Sequence, residues 1–537
     1  MVWAAALAVG LGGGLPVVAG EAGVDATSGV PTDVLLDPAE IDWDDLGGAD
    51  PAAEPASEVQ GSVDAGVAAR LDLRYLAGES GVEPSAEGRA PDEAPTGQMA
   101  QFQLPKPTPE GGAPTSQLPQ RLVYQYGYGS ESDTTYRTDS DLNKNVKDDS
   151  FIVRPEVNGN VTYRPANWLD MTLEMIIDRE IAAREEDRVV LPNGEIAVAP
   201  ERRASLLIDQ AFVTIKDVIS PFEFSVGRKD FQDERHFLYD TSMDTALVSV
   251  KLGPLYGQAS VGREVLKDMD LLKRERTDRI NTFIYYAEYR GLEDVKFAAY
   301  TILRDDRNDR EGRPQLVGVR SLGMPTEEFS YWTELAHLRG SDERSRSYSA
   351  HAVDVGGTYR IPGVPLNPNI TLGFALGTGD NTPNDTTNNQ FRQTGLQSNE
   401  VKFGGVADFR GYGEALDPEL SNLKVFTVGA GIRPAPNVSF DLIYHRYRLH
   451  ELSEEIGESG VTAELNQVDT ELSKDVGSAI DIVLGFRNLF GIKRLGLDLR
   501  AGWFFPGRAY FRDESTDEAV IFRDPDTGFS MITKFWW

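Results

Sequence analysis

Charged side chains recur at every second position inside short apolar segments of this chain. Ile480, Ile482, Leu484 and Phe486 alternate with Asp481, Gly485 and Arg487, and Leu495, Leu497, Leu499 and Ala501 alternate with Gly496, Asp498 and Arg500. A period of two places each set on one face of a β-strand. The same spacing puts Arg154, Lys296, Arg304, Arg360 and Arg433 on polar faces, together with Glu334 and Asp441. Such groups support two kinds of chemistry. Rows of guanidinium and ammonium groups along a pore guide an anion. Held between carboxylates, the same groups form a lattice of ion pairs that braces a wall and selects nothing. The two are compatible, because Glu334, Asp441 and Asp481 are the expected partners that hold the basic side chains in place.

Other chemistries find little support. Of five histidines, His445 falls on the same face as Asp441, but no G-x-S-x-G nucleophile motif accompanies them. No catalytic residue is therefore expected, and His445 reads as structural or pore-lining. The absence of Cys removes disulfides, thiolate metal sites and a cysteine nucleophile. Asp305-Asp306 with Asp309, and Asp524 with Asp526, read as solvated loop carboxylates rather than a calcium site. No metal or cofactor is expected. A net charge of −32 argues against a nucleic-acid partner.

The elements that carry these residues are short and regular. Eighteen alternating segments are expected as strands: 121–128, 151–163, 168–179, 204–216, 221–229, 244–252, 254–263, 279–290, 294–304, 314–321, 329–339, 348–361, 369–379, 423–434, 437–450, 477–487, 495–505 and 528–537. Many are near ten residues, the length of a tilted strand that crosses a bilayer. Past residue 20 there is no run of about 18 apolar residues such as a transmembrane helix requires. Short connections such as Gly253 and Pro434-Ala-Pro436 alternate with long polar ones such as 380–422 and 451–476. Short periplasmic turns and long external loops are the habit of outer-membrane barrels. The expected fold is all-β, a transmembrane antiparallel β-barrel of about 18 strands over 121–537, with both termini in the periplasm. Within Leu206–Ile215 and around Gly227-Arg228-Lys229 the period slips, as at a β-bulge. The last strand should send Phe535 and Trp537 to lipid and Lys534 to the lumen, leaving Trp536 inward near the periplasmic rim.

The N-terminal part differs. Val2 to Ala19 reads as the apolar core of a signal peptide, making 1–20 the expected leader, although a basic n-region is missing. Residues 21–120 are acidic, rich in Ala, Pro, Gly and Ser, and poor in aromatics. They cannot bury enough apolar surface to offset their ordering entropy, so a disordered periplasmic region is expected.

Several stretches resemble the alginate export family of outer-membrane porins. They are Asp209-Gln-Ala-Phe-Val213, Gly227-Arg-Lys-Asp-Phe-Gln-Asp-Glu-Arg-His-Phe-Leu-Tyr-Asp240, Gly377-Thr-Gly-Asp380, Phe391-Arg-Gln-Thr-Gly-Leu396, Gly411 to Leu423 and Ser439 to Tyr447. The resemblance covers roughly 120–537. It implies an eighteen-stranded barrel that passes an anionic uronic-acid polysaccharide through a basic constriction, with loops gating each end. By character, Arg154, Lys296, Arg304, Arg360, Arg433, Arg487 and Arg500 would be the pore-lining bases, with Glu334, Asp441, Asp481 and Asp498 as acidic partners.

The expected function is a non-enzymatic channel of the Gram-negative outer membrane, for passive export or diffusion of an anionic polysaccharide or other anionic solutes. Expected partners are outer-membrane lipid, the anionic polysaccharide or small anions, and periplasmic export proteins. The alternative is a general porin, or a barrel scaffold that docks a partner through the N-terminal region. Loop 380–422 is the candidate to fold inward or cap the mouth.

Overall fold

The computed structural model describes residues 123–142, 149–184, 188–190, 196–198, 201–265, 269–272, 280–306, 312–466, 472–510 and 527–537. The expected leader and most of the acidic N-terminal region lie outside them. Eighteen strands form the wall: β1 (Val123–Thr138), β2 (Ser150–Ala166), β3 (Leu169–Arg184), β4 (Glu201–Ile219), β5 (Phe222–Gln232) and β6 (Asp240–Leu252). They continue as β7 (Leu255–Arg263), β8 (Ile280–Leu292), β9 (Val295–Asp306), β10 (Arg313–Thr326), β11 (Phe329–Ser341) and β12 (Ser347–Arg360). The last six are β13 (Asn369–Gly377), β14 (Leu423–Ala435), β15 (Val438–Leu449), β16 (Asp475–Arg487), β17 (Gly496–Pro506) and β18 (Gly528–Trp536). Each strand pairs antiparallel with its neighbours in sequence, and β18 pairs with β1, from Glu131 opposite Trp536 to Thr138 opposite Phe529. The sheet is therefore closed, which satisfies the backbone groups that lipid cannot. The strands Arg188–Val190 and Ile196–Val198 make a separate two-stranded sheet.

The alternation in sequence becomes two faces. Val157, Ile177, Leu372, Phe426, Val428, Leu442 and Tyr444 are exposed on the outer wall, while Thr427, Asp441, His445, Asp481 and Asp498 are buried on the inner one. Near the short-turn end, Tyr124, Tyr126, Tyr128, Trp168, Phe222, Tyr289, Phe329, Tyr359, Phe535 and Trp537 are exposed. Aromatics at that level suit the membrane–water interface. All long connections lie at the opposite end, which is the extracellular one by the rule of short periplasmic turns.

Three details differ from, or add to, the sequence reading. β1 runs to Thr138 instead of ending near 128. The slip in β4 is a bulge: Glu174 pairs with Gln210 and Met175 with Ile208, leaving Asp209 as the extra residue. Trp536, expected inward near the periplasmic rim, packs under the Arg487 guanidinium, which lies 4.5 Å from its ring centre. Closure brings β17 alongside, and at Gly496 a Cβ would lie 2.3 Å from the Trp536 ring.

Candidate functional site

Two extracellular connections enter the barrel and fill much of its interior. The first is the β5–β6 link, residues 233–239, whose Phe237 and Leu238 are buried. The second is the β13–β14 link, residues 378–422, with Phe391, Leu396, Phe409, Leu416 and Leu420 buried. They bind each other: Gln393 Nε2 donates to Phe237 O at 3.1 Å, Thr394 Oγ1 to Leu238 O at 2.5 Å, and Asp240 N to Leu396 O at 2.6 Å. The apolar side chains of these links explain why the inner wall also carries apolar residues. Ile443 and Val483, on inner faces of β15 and β16, cluster with Val401, Ala407 and Phe409.

The longer link reaches the far end of the lumen. Its backbone passes so close to the wall that a Cβ on Gly404 would lie 2.2 Å from Asn369, and one on Gly405 2.1 Å from Asp441 Oδ2. Asn369 begins β13 and Asp441 is the fourth residue of β15, so both stand at the periplasmic end. Val406 N donates to Ser439 Oγ at 2.8 Å, Val406 O accepts from Arg487, and Phe403 stacks on Trp332 at 5.5 Å.

Charge pairs join these links to the wall. Arg320 of β10 lies between Asp233 of the short link, at 2.6 Å, and Glu334 of β11, at 2.7 Å, all three nearly free of solvent. Arg235 pairs with Asp354 of β12 at 3.0 Å and lies over Trp332 at 4.4 Å. Asp354 also accepts from Trp332 Nε1 at 2.7 Å and Tyr412 OH at 3.1 Å. Further round, Arg500 of β17 holds Glu400 at 2.8 Å and Glu414 at 3.8 Å. Buried charges of this kind persist only when each has a partner.

The residues singled out from sequence therefore sit in different settings. Arg304 meets Glu264 at 3.4 Å and the Thr394 carbonyl, Arg487 meets Asp498 at 2.6 Å, and Arg500 is held as above. Arg154 pairs with Glu180, and Lys296 with Glu234 of the short link. Glu334 is the partner of Arg320, which the sequence list omitted. Asp481 pairs with His445 Nε2 at 3.2 Å rather than with an arginine, and Thr427 Oγ1 contacts the other ring nitrogen at 3.0 Å. Asp441 forms no ion pair among the described residues; its neighbour is the close-passing backbone of Gly405. Arg360 and Arg433 stand apart at the periplasmic rim. Their guanidinium groups donate to carbonyls, Arg360 to Glu327 O at 3.1 Å and Arg433 to Pro436 O at 2.7 Å.

Sequence spacing missed Asp233, Arg235, Arg320, Tyr412, Glu400 and Glu414 as members of this network. A signal was present: the stretches Gly227–Asp240, Phe391–Leu396 and Gly411–Leu423, which carry the family resemblance, lie in or beside the two links that enter the lumen. The wall opposite has another character. Glu131, Asp133, Glu156, Glu174, Asp178 and Glu180 face inward from β1, β2 and β3, against Arg154 and, on β18, Lys534, which pairs with Glu131 at 2.6 Å.

A sequence model of the alginate export family matches residues 118–522. The alginate production protein AlgE of Pseudomonas aeruginosa is 28% identical over 346 residues, which cover 53% of this chain and 66% of that protein. Its Azotobacter vinelandii namesake is 28% identical over 201 residues, covering 35% of this chain and 39% of that one. The chain thus spans less than two thirds of the length of these relatives. Among solved structures, OccAB3 of Acinetobacter baumannii covers 77% of this chain and 99% of its own, at 11% identity and a TM-score of 0.49. The chain belongs to the alginate export family and is a β-barrel of the Gram-negative outer membrane.

Proposed function

We propose that this barrel is a channel that carries an anionic polysaccharide, or smaller anions, passively across the outer membrane. The observation that supports the reading is the pair Arg360 and Arg433 at the periplasmic rim. These are bases whose described hydrogen bonds go to carbonyl oxygens, and both stand at the same rim. Two such guanidinium groups at an entrance draw in a polyanion and offer it donor forks that suit carboxylates. Lys296 and Arg487 at the same end, and Arg154, Arg304 and Arg500 farther along the axis, complete the basic set, with Glu334, Asp441, Asp481 and Asp498 as the acidic part of the lining. The two entering links would regulate passage, because they occupy the path. AlgE, named for alginate production, supplies the candidate polymer class, a uronic-acid chain.

A second reading is a general porin that prefers cations, favoured by the acidic wall of β1, β2 and β3. Reversal potentials of the purified barrel in planar bilayers under a salt gradient separate the two. The first reading expects anion preference, block by oligouronates added on the periplasmic side, and loss of that block in Arg360→Glu/Arg433→Glu. Cation preference with no oligouronate block would favour the second reading and remove the first.

A further inference from the structure

The outer wall carries a feature that transport does not use. Between β5 and β12 the small lipid-facing residues Gly257, Ala259, Ala287 and Ala299 sit beside the larger Phe222 and Tyr285, and together they line a shallow apolar depression of about 860 Å³. At roughly 27 Å³ per close-packed methylene, two chains of about fourteen carbons would fill it. A fluid bilayer fits such a hollow poorly, whereas chains tethered to one headgroup lose less entropy on settling there.

Its extracellular end is polar and basic. His337 of β11 and His351 of β12 are register partners whose rings stack at 4.6 Å. His337 Nδ1 contacts Ala350 O at 3.0 Å, while the His351 ring makes no hydrogen bond among the described residues. Arg339 follows His337 on the same face, is exposed, and donates to Gln315 Oε1 at 2.9 Å. Asp305, which faces outward on β9 two strands from β11, is held by Arg313 at 2.9 Å. Histidines and an arginine facing hydrocarbon are costly unless a polar group meets them. Both histidines lie four residues inside the extracellular strand ends, about 10 Å along the barrel axis at usual strand rise and tilt. This is the depth of the outer-leaflet headgroups.

We propose that this site binds a phosphorylated glycolipid of the outer leaflet, the lipid A part of lipopolysaccharide. Its acyl chains lie in the depression, and a phosphate is held by Arg339, His337 and His351. The guanidinium fork supplies charge-assisted hydrogen bonds, the imidazole N–H groups add donors, and the small residues below set where the chains lie.

The test is retention and rebinding. The barrel is extracted from outer membranes in mild detergent, and bound lipopolysaccharide per barrel is measured by native mass spectrometry and sugar assay. Purified deep-rough lipopolysaccharide is then added back, with phosphatidylglycerol at equal phosphate as the competing source. Wild type should retain lipopolysaccharide and rebind it in preference to phosphatidylglycerol. His351→Ala/Arg339→Ala should lower retention at least tenfold. Ala299→Phe, which fills the depression and leaves the charges alone, should do the same, while Tyr444→Ala on the far outer wall should not. Heat-modified gel migration checks folding of each variant. Retention unchanged in both site variants, or equal rebinding of phosphatidylglycerol, would overturn the proposal.

Discussion

Replacing residues 383–419 with a four-residue Gly-Ser link tests whether the β13–β14 connection obstructs the channel. Leu376 pairs with Lys424 across the two strands, so a short link can join them without moving the wall. The size of the effect follows from the barrel. Eighteen strands spaced about 4.8 Å apart and tilted about 40° give a diameter of roughly 36 Å. Side chains occupy about 6 Å on each side, leaving a lumen about 24 Å wide and, over a height of about 30 Å, roughly 13,500 Å³. The connection between Gly377 and Leu423 has about 45 residues, near 6,000 Å³ at close packing. Removing most of it should therefore roughly double single-channel conductance in planar bilayers. The barrel should survive. Arg500 loses Glu400 and Glu414, and Tyr447 loses its bond to Tyr412 O, but water replaces the link, so these groups are hydrated rather than stranded in a dry cavity. Unchanged conductance in a folded variant would refute the reasoning, because it would mean that ions already pass without meeting this link.

Other consequences follow from single residues. Arg320→Met removes the cation that both Asp233 and Glu334 require; breaking a buried pair costs about 3–5 kcal/mol, a hundredfold or more in the docked population of the 233–239 link. Trypsin should then cut after Arg235 in detergent-solubilised barrel, and protection equal to wild type would show that this ion-pair cluster does not hold the link. Deleting Trp537 removes two backbone hydrogen bonds to Ser130, at 3.2 and 3.0 Å, and the edge contact with Tyr128 at 5.7 Å; assembled barrel in the membrane should fall, and normal levels with lost transport would point to a role in passage instead. Asp342, in the β11–β12 loop, accepts from Arg346 N and Nε, both at 2.7 Å, and from Asn388 Nδ2 at 3.1 Å. Burial alone would raise its pKa, but these hydrogen bonds hold the carboxyl below the usual range. The contribution is thus present above the unfolded value of about 3.9 and lost as pH falls through the lower folded one. Amide exchange in 342–346 should quicken below about pH 4, and Asp342→Asn should exchange fast at neutral pH with a flatter profile.

The wall was legible because lipid imposes a local rule. Each crossing needs an apolar residue at every second position, and the rule holds within a segment, so Phe426 and Val428 could be placed without reference to any other strand. The rule is not kept by every strand: Ser130–Thr138 of β1 reads SESDTTYRT with no apolar alternation, although Glu131–Thr138 pairs with Trp536–Phe529 of the crossing strand β18. The rule also says nothing of the lumen. Arg320 alternates with Val317 and Val319, so its inward face was readable, yet its partner Asp233 lies 87 residues away in a link with no strand period. Whether a buried arginine braces the wall or lines an open path is decided by what enters the lumen from the loops. Here the loops capture Arg304, Arg320, Arg487 and Arg500, whereas Arg360 and Arg433 keep their guanidiniums on turn carbonyls at the rim. Bases with the same alternation in sequence thus divide into those held by a link or a carboxylate and those whose described bonds go to turn carbonyls. Depth along the barrel axis does not separate them, because Arg487 ends β16 at the periplasmic rim just as Arg360 ends β12; what separates them is whether a link passes beside them, so selectivity in this barrel should be set by the bases that the links do not hold and conductance by the links.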